Sequence, residues 1–293
     1  MYKSKYVFFT EKFIMTLIEK IVTFLRFEMP TPPSYGLFHI AFLLLTVGAT
    51  VLLIRKFRDA DEKTFRRLLM GAWITLVILE IYKQVVFAYR EDIYVPGHMI
   101  WSYHWYGFPF QLCSSPLYLF PFAALLKESR VKDAVVAFLA TFSVFGGLAV
   151  MLYPNDVFTV LGGVNVQTMI HHGTQIAVGL LLAARYRRRW NLGLFAKGIV
   201  TFAVMSGIAL ILNEAMYAHF LNKGITNASF NMFYISRHYG CSLPLLSMIY
   251  PKVPYPVFLL IYLLGFAVVS GLIFLAVKGC ICLANRRKER KVC

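Results

Sequence analysis

The chain has 293 residues, 59% of them hydrophobic and only 15% charged, with a mean hydropathy of +0.64. A soluble domain is about half apolar and about a quarter charged, so this composition calls for a lipid solvent. Thirty basic against 14 acidic residues give a net charge of +16. The basic residues stand in short runs between apolar stretches, the arrangement of membrane topology and not of nucleic-acid binding.

Residues 1–33 come first and carry five basic residues. Glu11, Lys12, Glu19 and Lys20 interrupt any apolar core of a cleaved signal peptide. Phe9, Phe13, Ile14, Leu17, Ile18, Ile21 and Leu25 recur at helical spacing, which predicts an amphipathic helix lying in the membrane interface. Pro30, Pro32 and Pro33 end it. Seven stretches then reach the length and apolarity of a spanning helix: 36–54, 68–89, 105–126, 134–153, 166–184, 198–220 and 257–278. Ten-residue alternating strands, the mark of an outer-membrane barrel, are absent. The expected fold is all-α and polytopic, with an interfacial segment at 1–33, a seven-helix domain at 34–285 and a basic tail at 286–293.

The connections set the expected orientation. Segments 55–67, 127–133, 185–197 and 278–293 carry six, three, five and six Lys/Arg. On the other side, 90–104, 154–165 and 221–256 carry one, none and three. The first set is expected in the cytoplasm, which places the C-terminus inside and the N-terminus outside a cell membrane.

Ionisable groups inside a bilayer are costly and therefore candidates for function. Span 2 holds Glu80 and Lys83, span 5 His171 and His172, and span 6 Asn213 and Glu214; Cys113 lies in span 3. At a rise of about 1.5 Å per residue, Cys113 falls roughly 12 Å, His171 roughly 8 Å and Glu214 roughly 9 Å below the outer surface. Glu80 comes out only a little deeper. Costly groups from four helices thus converge at one level.

Each also has a structural reading. Glu80 and Lys83, at i and i+3, can neutralise each other. Gln167, His171 and Gln175 form one stripe at i, i+4, i+8 that can serve as interhelical hydrogen-bond glue. Cys113 lies between Pro109 and Pro116, each of which frees a backbone carbonyl, and irregular backbone of this kind lines cavities within bilayers. A disulfide between Cys113 and Cys241 is the structural alternative. Cys280, Cys282 and Cys293 can carry palmitate or nothing.

The segment FPFQLCSSPLYLFPFAALL (108–126), with IHHGTQ (170–175) and FNMFYIS (230–236), resembles the bacterial YwaF-like membrane proteins, a group allied to the transmembrane protein 164 acyltransferase family. The resemblance runs over roughly spans 2 to 7. It implies an enzyme that moves fatty acyl groups between phospholipids or lysophospholipids through a cysteine thioester served by a histidine. In this chain those roles fall on Cys113 and His171.

On that reading His171 deprotonates the thiol, because a buried thiol is a poor nucleophile without an adjacent base. Glu214 or Gln175 would fix its tautomer, and Asn213, His172 or a freed amide would stabilise the oxyanion. No metal or other cofactor is expected, since consecutive histidines point in different directions. A proton-coupled transporter using Glu80, Lys83, His171 and Glu214, and a structural membrane protein, are the alternatives.

Overall fold

The computed structural model describes residues 16–289 apart from 93, 96 and 97. Expectations for the first 15 residues, and for the end of the basic tail, lie outside the described residues. A short helix α1 (Leu17–Leu25) is followed by the long helices α2 (Leu37–Phe57) and α3 (Glu62–Ala88). A small antiparallel ribbon follows, β1 (Tyr89–Glu91) paired with β2 (Met99–Trp101), an addition to an otherwise all-α protein. Two 3₁₀ turns, Trp105–Gly107 and Leu112–Ser114, lead into α4 (Ser115–Leu125). Helix α5 (Arg130–Phe138) passes through a π turn, Leu139–Ser143, into α6 (Val144–Leu152). The remaining helices are α7 (Gly162–Arg185), α8 (Leu192–Lys223), the single turn α9 (Leu246–Ile249) and α10 (Tyr255–Glu289).

Among the described residues, five helical segments are long and apolar enough to cross a membrane: α2, α3, the continuous Arg130–Leu152 helix, α8 and the Tyr255–Asn285 part of α10. This is a multi-pass membrane protein. The predicted span at 166–184 corresponds to α7, which has the length but carries more polar residues. The predicted span at 105–126 is not one helix. Pro109, Pro116 and Pro121 interrupt its hydrogen-bond ladder, and only the segment Leu112–Leu125 is helical as a unit.

The packing suits lipid on the outside. Leu37, Leu44, Ile211, Leu221 and Val268 point outward, whereas phenylalanines such as Phe120, Phe138, Phe142 and Phe202 fill the interior. Helix α7 lies centrally, against α2, α3 and α6, with most of its length buried. Close approach is secured by glycine: a Cβ at Gly179 would lie 2.7 Å from the Leu139 carbonyl and would clash with Val144. At Gly147 it would lie 2.9 Å from Ile176 Cγ1 and 3.2 Å from the His172 carbonyl. Small residues at such crossings are how membrane helices gain packing contacts.

Helix α1 shows an inverted amphipathic arrangement. Its N-terminus is closed by a reciprocal capping box between Thr16 and Glu19. Leu17, Ile18, Ile21 and Phe24 are exposed, while Glu19 is buried against the ribbon, with its Oε1 2.7 Å from His98 Nδ1 and 3.1 Å from the Met99 amide. These bonds, the Thr16 amide foremost, hold the Glu19 carboxyl at about 2. Arg26 also ties α1 to the Val86 and Tyr89 carbonyls of the neighbouring strand and helix.

Candidate functional site

The local backbone around Cys113 follows from its prolines. Pro116 has no N–H for the Leu112 carbonyl, which accepts the Ser115 hydroxyl at 2.7 Å instead. Pro121 likewise leaves the Leu117 carbonyl, to which Trp73 Nε1 of α3 donates at 2.8 Å. Tyr118 closes the segment by donating to the Pro109 carbonyl at 2.8 Å. Cys113 therefore sits in a tight turn just ahead of the N-terminus of α4, and its side chain is partly buried.

Helix α7 brings its histidines to this turn. His171 Nε2 lies 3.0 Å from the Cys113 carbonyl oxygen, so the ring donates from Nε2 and carries its lone pair on Nδ1. That Nδ1 is buried and has no hydrogen-bond partner among the described residues. His172 has the opposite arrangement: Nδ1 donates to the Thr168 carbonyl at 2.7 Å, and Nε2 is buried and unpartnered. The two rings lie 5.3 Å apart, centre to centre. Two buried imidazoles thus each keep one basic nitrogen unused. Such orphaned groups are uncommon in a well-packed interior.

The other expected residues divide between this centre and its surroundings. Glu80 and Lys83 form a 2.8 Å ion pair in a mostly buried setting. Gln84 donates to both Glu80, at 2.6 Å, and the Gly107 carbonyl, at 2.7 Å, which ties the pair to the loop before Cys113. Gln175 lies one turn beyond His171, but its amide donates to the carbonyl and hydroxyl of Ser143, at 2.8 and 3.0 Å, in the π turn. The Cys113 carbonyl is thus the partner that fixes the His171 tautomer.

Asn213 and Glu214 face the last long loop. Asn213 clasps the Met232 backbone at both ends, donating to its carbonyl at 3.0 Å and accepting from its amide at 2.7 Å. Gln111 makes the matching clasp from the Cys113 side, to the Asn231 carbonyl at 2.9 Å and the Phe233 amide at 2.7 Å. Asn231 in turn accepts from Ser236 and donates to the Gly240 carbonyl. Between the clasps, Phe233 and Tyr234 hold the left-handed conformation, at φ 57° and 59°, a strained state for side chains of this size. Phe230, Met232, Phe233 and Ile235 are buried, so the loop dips back into the bundle. Tyr234 reaches Tyr106, with 3.1 Å between their hydroxyls. Glu214 is half-buried at the loop's edge, where its carboxylate pairs with Arg237 at 2.8 Å and His238 at 3.0 Å. The histidine that it orients is therefore His238, which also stacks on Tyr217 with ring centres 3.5 Å apart.

Sequence reasoning missed Trp73, Gln84 and Asn231. An indole N–H inside an apolar span needs a partner, and a proline four residues past an unpaired carbonyl provides one; that signal marks Trp73. Nothing in the chain alone points to Asn231 as a clasp.

Cys113 and Cys241 are both free thiols, so the alternative disulfide is not formed. Among the described residues no three His, Cys, Asp or Glu side chains are grouped to hold a metal ion. The model of the TMEM164 family matches residues 34–276, which takes in every helix from α2 to most of α10. No curated protein and no solved structure matches the chain.

Proposed function

The chain belongs to the TMEM164 family, and from that premise we propose that it is a lipid acyltransferase of the YwaF-like branch, with Cys113 as nucleophile and His171 as base. The observation that carries the reading is the 3.0 Å hydrogen bond from the His171 ring to the Cys113 carbonyl, which brings the ring to the cysteine's backbone and leaves Nδ1 buried, unpartnered and not hydrogen-bonded to the Cys113 thiol. The position of Cys113 ahead of α4 adds support, because the positive end of a helix dipole favours negative charge on sulfur.

In the first half-reaction the Cys113 side chain turns toward His171 Nδ1 as the donor phospholipid enters, gives it the thiol proton, and the sulfur attacks the ester carbonyl carbon. The tetrahedral intermediate collapses to a Cys113 thioester, and the leaving alkoxide takes the proton from His171 as a lysolipid. In the second, an acceptor hydroxyl gives its proton to His171 and attacks the thioester. Cys113 leaves as thiolate and recovers the proton. Backbone amides in the first turn of α4, which have no intrahelical acceptor, stabilise the oxyanion. His172 serves as a second proton store. Asn213 and Gln111 position the loop over the centre, Gln175 braces α7 against the π turn, and Glu80 with Lys83 sets the local field. Glu214 holds the loop's edge.

The proposal includes seven spans, with α7 and the Leu112–Leu125 segment completing the five longer helices. The N-terminal segment 1–33 rests in the interface, the seven-helix domain covers 34–285 and a basic tail covers 286–293. The basic loops lie in the cytoplasm and the N-terminus lies outside, which puts the Cys113 turn near the headgroups of the outer leaflet of a cell membrane. Phospholipid and lysophospholipid are the substrates. The reaction runs on the side chains alone, without a metal or other cofactor. Reconstituted protein should exchange acyl chains between a labelled phospholipid and a lysophospholipid. Solute flux without exchange would favour a carrier in its place.

A further inference from the structure

The loops rich in Lys and Arg meet at the end of the bundle opposite to Cys113. Arg185, at the C-terminus of α7, is 14 residues past His171, about 21 Å along the helix axis. There the α2–α3 turn, the start of α5 and the turn after α7 enclose a cleft of about 520 Å³. Its lining contains Arg58, Lys132, Arg185, Arg187, Arg188 and Arg189 against the carboxylates of Asp59, Glu62 and Glu128, a surplus of three positive charges.

The walls are built and not merely decorated. The Lys132 side chain is nearly fully buried and reaches Glu128 at 3.1 Å and Glu62 at 3.3 Å. Arg185 stacks over the Phe65 ring at 4.1 Å, donates to the Ala60 carbonyl at 2.7 Å and pairs with Glu62 at 3.0 Å. Arg187 pairs with Asp59 at 2.7 Å. Arg189 pairs with Glu128 at 2.5 Å and also with Asp133. The carboxylate partners within the lining are more than half exposed, at 53% for Glu62, 58% for Glu128 and 60% for Asp59. Water weakens pairs whose carboxylate is this exposed, so a dianionic or monoanionic oxygen cluster can compete for the same guanidinium groups. Arg188 is exposed and makes no ion pair among the described residues.

We propose that this cleft binds the phosphate of an anionic phospholipid headgroup, as a site separate from the Cys113 centre. The pattern suits phosphate because several arginine forks around one buried lysine match its oxygens. Lipid is favoured over a free solute because Leu125, Val131 and Leu192, on segments that border the lining, are exposed apolar side chains. Acyl chains can lie against them while the headgroup enters the cleft.

The test uses the purified full chain in uncharged detergent, titrated with phosphatidylglycerol, phosphatidylcholine or inorganic phosphate. Native mass spectrometry and thermal unfolding give the readouts. Retained phosphatidylglycerol adducts and a raised Tm are expected, with little effect of phosphatidylcholine. Arg188→Glu should weaken that binding about tenfold and should fold normally, since it breaks no ion pair. Lys132→Gln should weaken it further, and Lys252→Glu, on the long loop at the other end, should leave it unchanged. Equal retention of phosphatidylcholine, or unaltered binding by Arg188→Glu, would overturn the proposal. Protection by inorganic phosphate as strong as that by the lipid would overturn the lipid assignment.

Discussion

His171 donates a hydrogen bond from Nε2 to the backbone carbonyl of Cys113, 3.0 Å away, and not to any side chain. The bond joins α7 to the turn ahead of α4, two elements 58 residues apart in the chain. It also fixes which ring nitrogen is basic. The consequence for mutagenesis is specific, because removing the ring removes both a base and a tether.

His171→Ala should lower acyl exchange by about 10²–10⁴-fold, the usual worth of a positioned general base. His171→Gln, whose amide nitrogen reaches about the position of Nε2 and can still donate to the Cys113 carbonyl, should recover thermal stability without recovering exchange. If activity instead tracked stability in both variants, the ring would be only a tether. Exchange rates measured beside Tm in the same detergent separate the two.

The clasp on the last loop predicts a different profile. Asn213→Ala strands the amide and carbonyl of Met232 in a buried setting and should cost about 1–3 kcal/mol per stranded group. Relaxation of the strained Phe233–Tyr234 pair offsets part of this. Limited proteolysis should then cut within 224–254 much faster than in the parent protein. An oxyanion donor at Asn213 would instead give slow exchange with unchanged proteolysis.

Trp73→Phe keeps the aromatic volume of α3 but removes the donor to the Leu117 carbonyl freed by Pro121. A loss of about 1–3 kcal/mol is expected. The double variant Trp73→Phe with Pro121→Ala restores an amide for that carbonyl and should return most of the Tm. Additive loss in the double variant would contradict this account.

The Glu19 tether gives a pH dependence. Its carboxyl is held at about 2, below its ordinary value of 4.5. The native state therefore favours the ionised form, and the stabilisation is fully present above pH 4.5. It is lost as pH falls toward 2. The protection of α1 amides, as exchange rates relative to the intrinsic rate at each pH, should fall over that window in the parent protein. In Glu19→Gln that protection should already be low at pH 7 and change little with acid.

Much of the architecture was legible because lipid imposes strong demands on sequence. Every predicted span overlaps a helix, and the five apolar helices follow directly from length and composition. The break in the 105–126 stretch was only half visible. Pro109 and Pro116 announced irregular backbone, but the full departure from a spanning helix depends on Trp73 and Ser115 satisfying the freed carbonyls, which are contacts made across the fold. Depth along the helices grouped Cys113, His171, Glu80 and Glu214 at one level, yet depth carries no information about rotation. Glu214 faces the exposed edge and Asn213, its neighbour in sequence, faces the buried loop. The interfacial pattern in α1 was also incomplete, since the buried side of that helix is marked by Glu19, a charge whose partners lie about 80 residues away.

The central claim is that Cys113 carries an acyl group during turnover, and intact mass spectrometry of the full chain incubated with a donor phospholipid tests it most directly. The account predicts one fatty-acyl increment mapping to Cys113, removed by neutral hydroxylamine, absent from Cys113→Ala and accumulating when the acceptor is withheld. An unmodified Cys113 in protein that still exchanges acyl chains would contradict it.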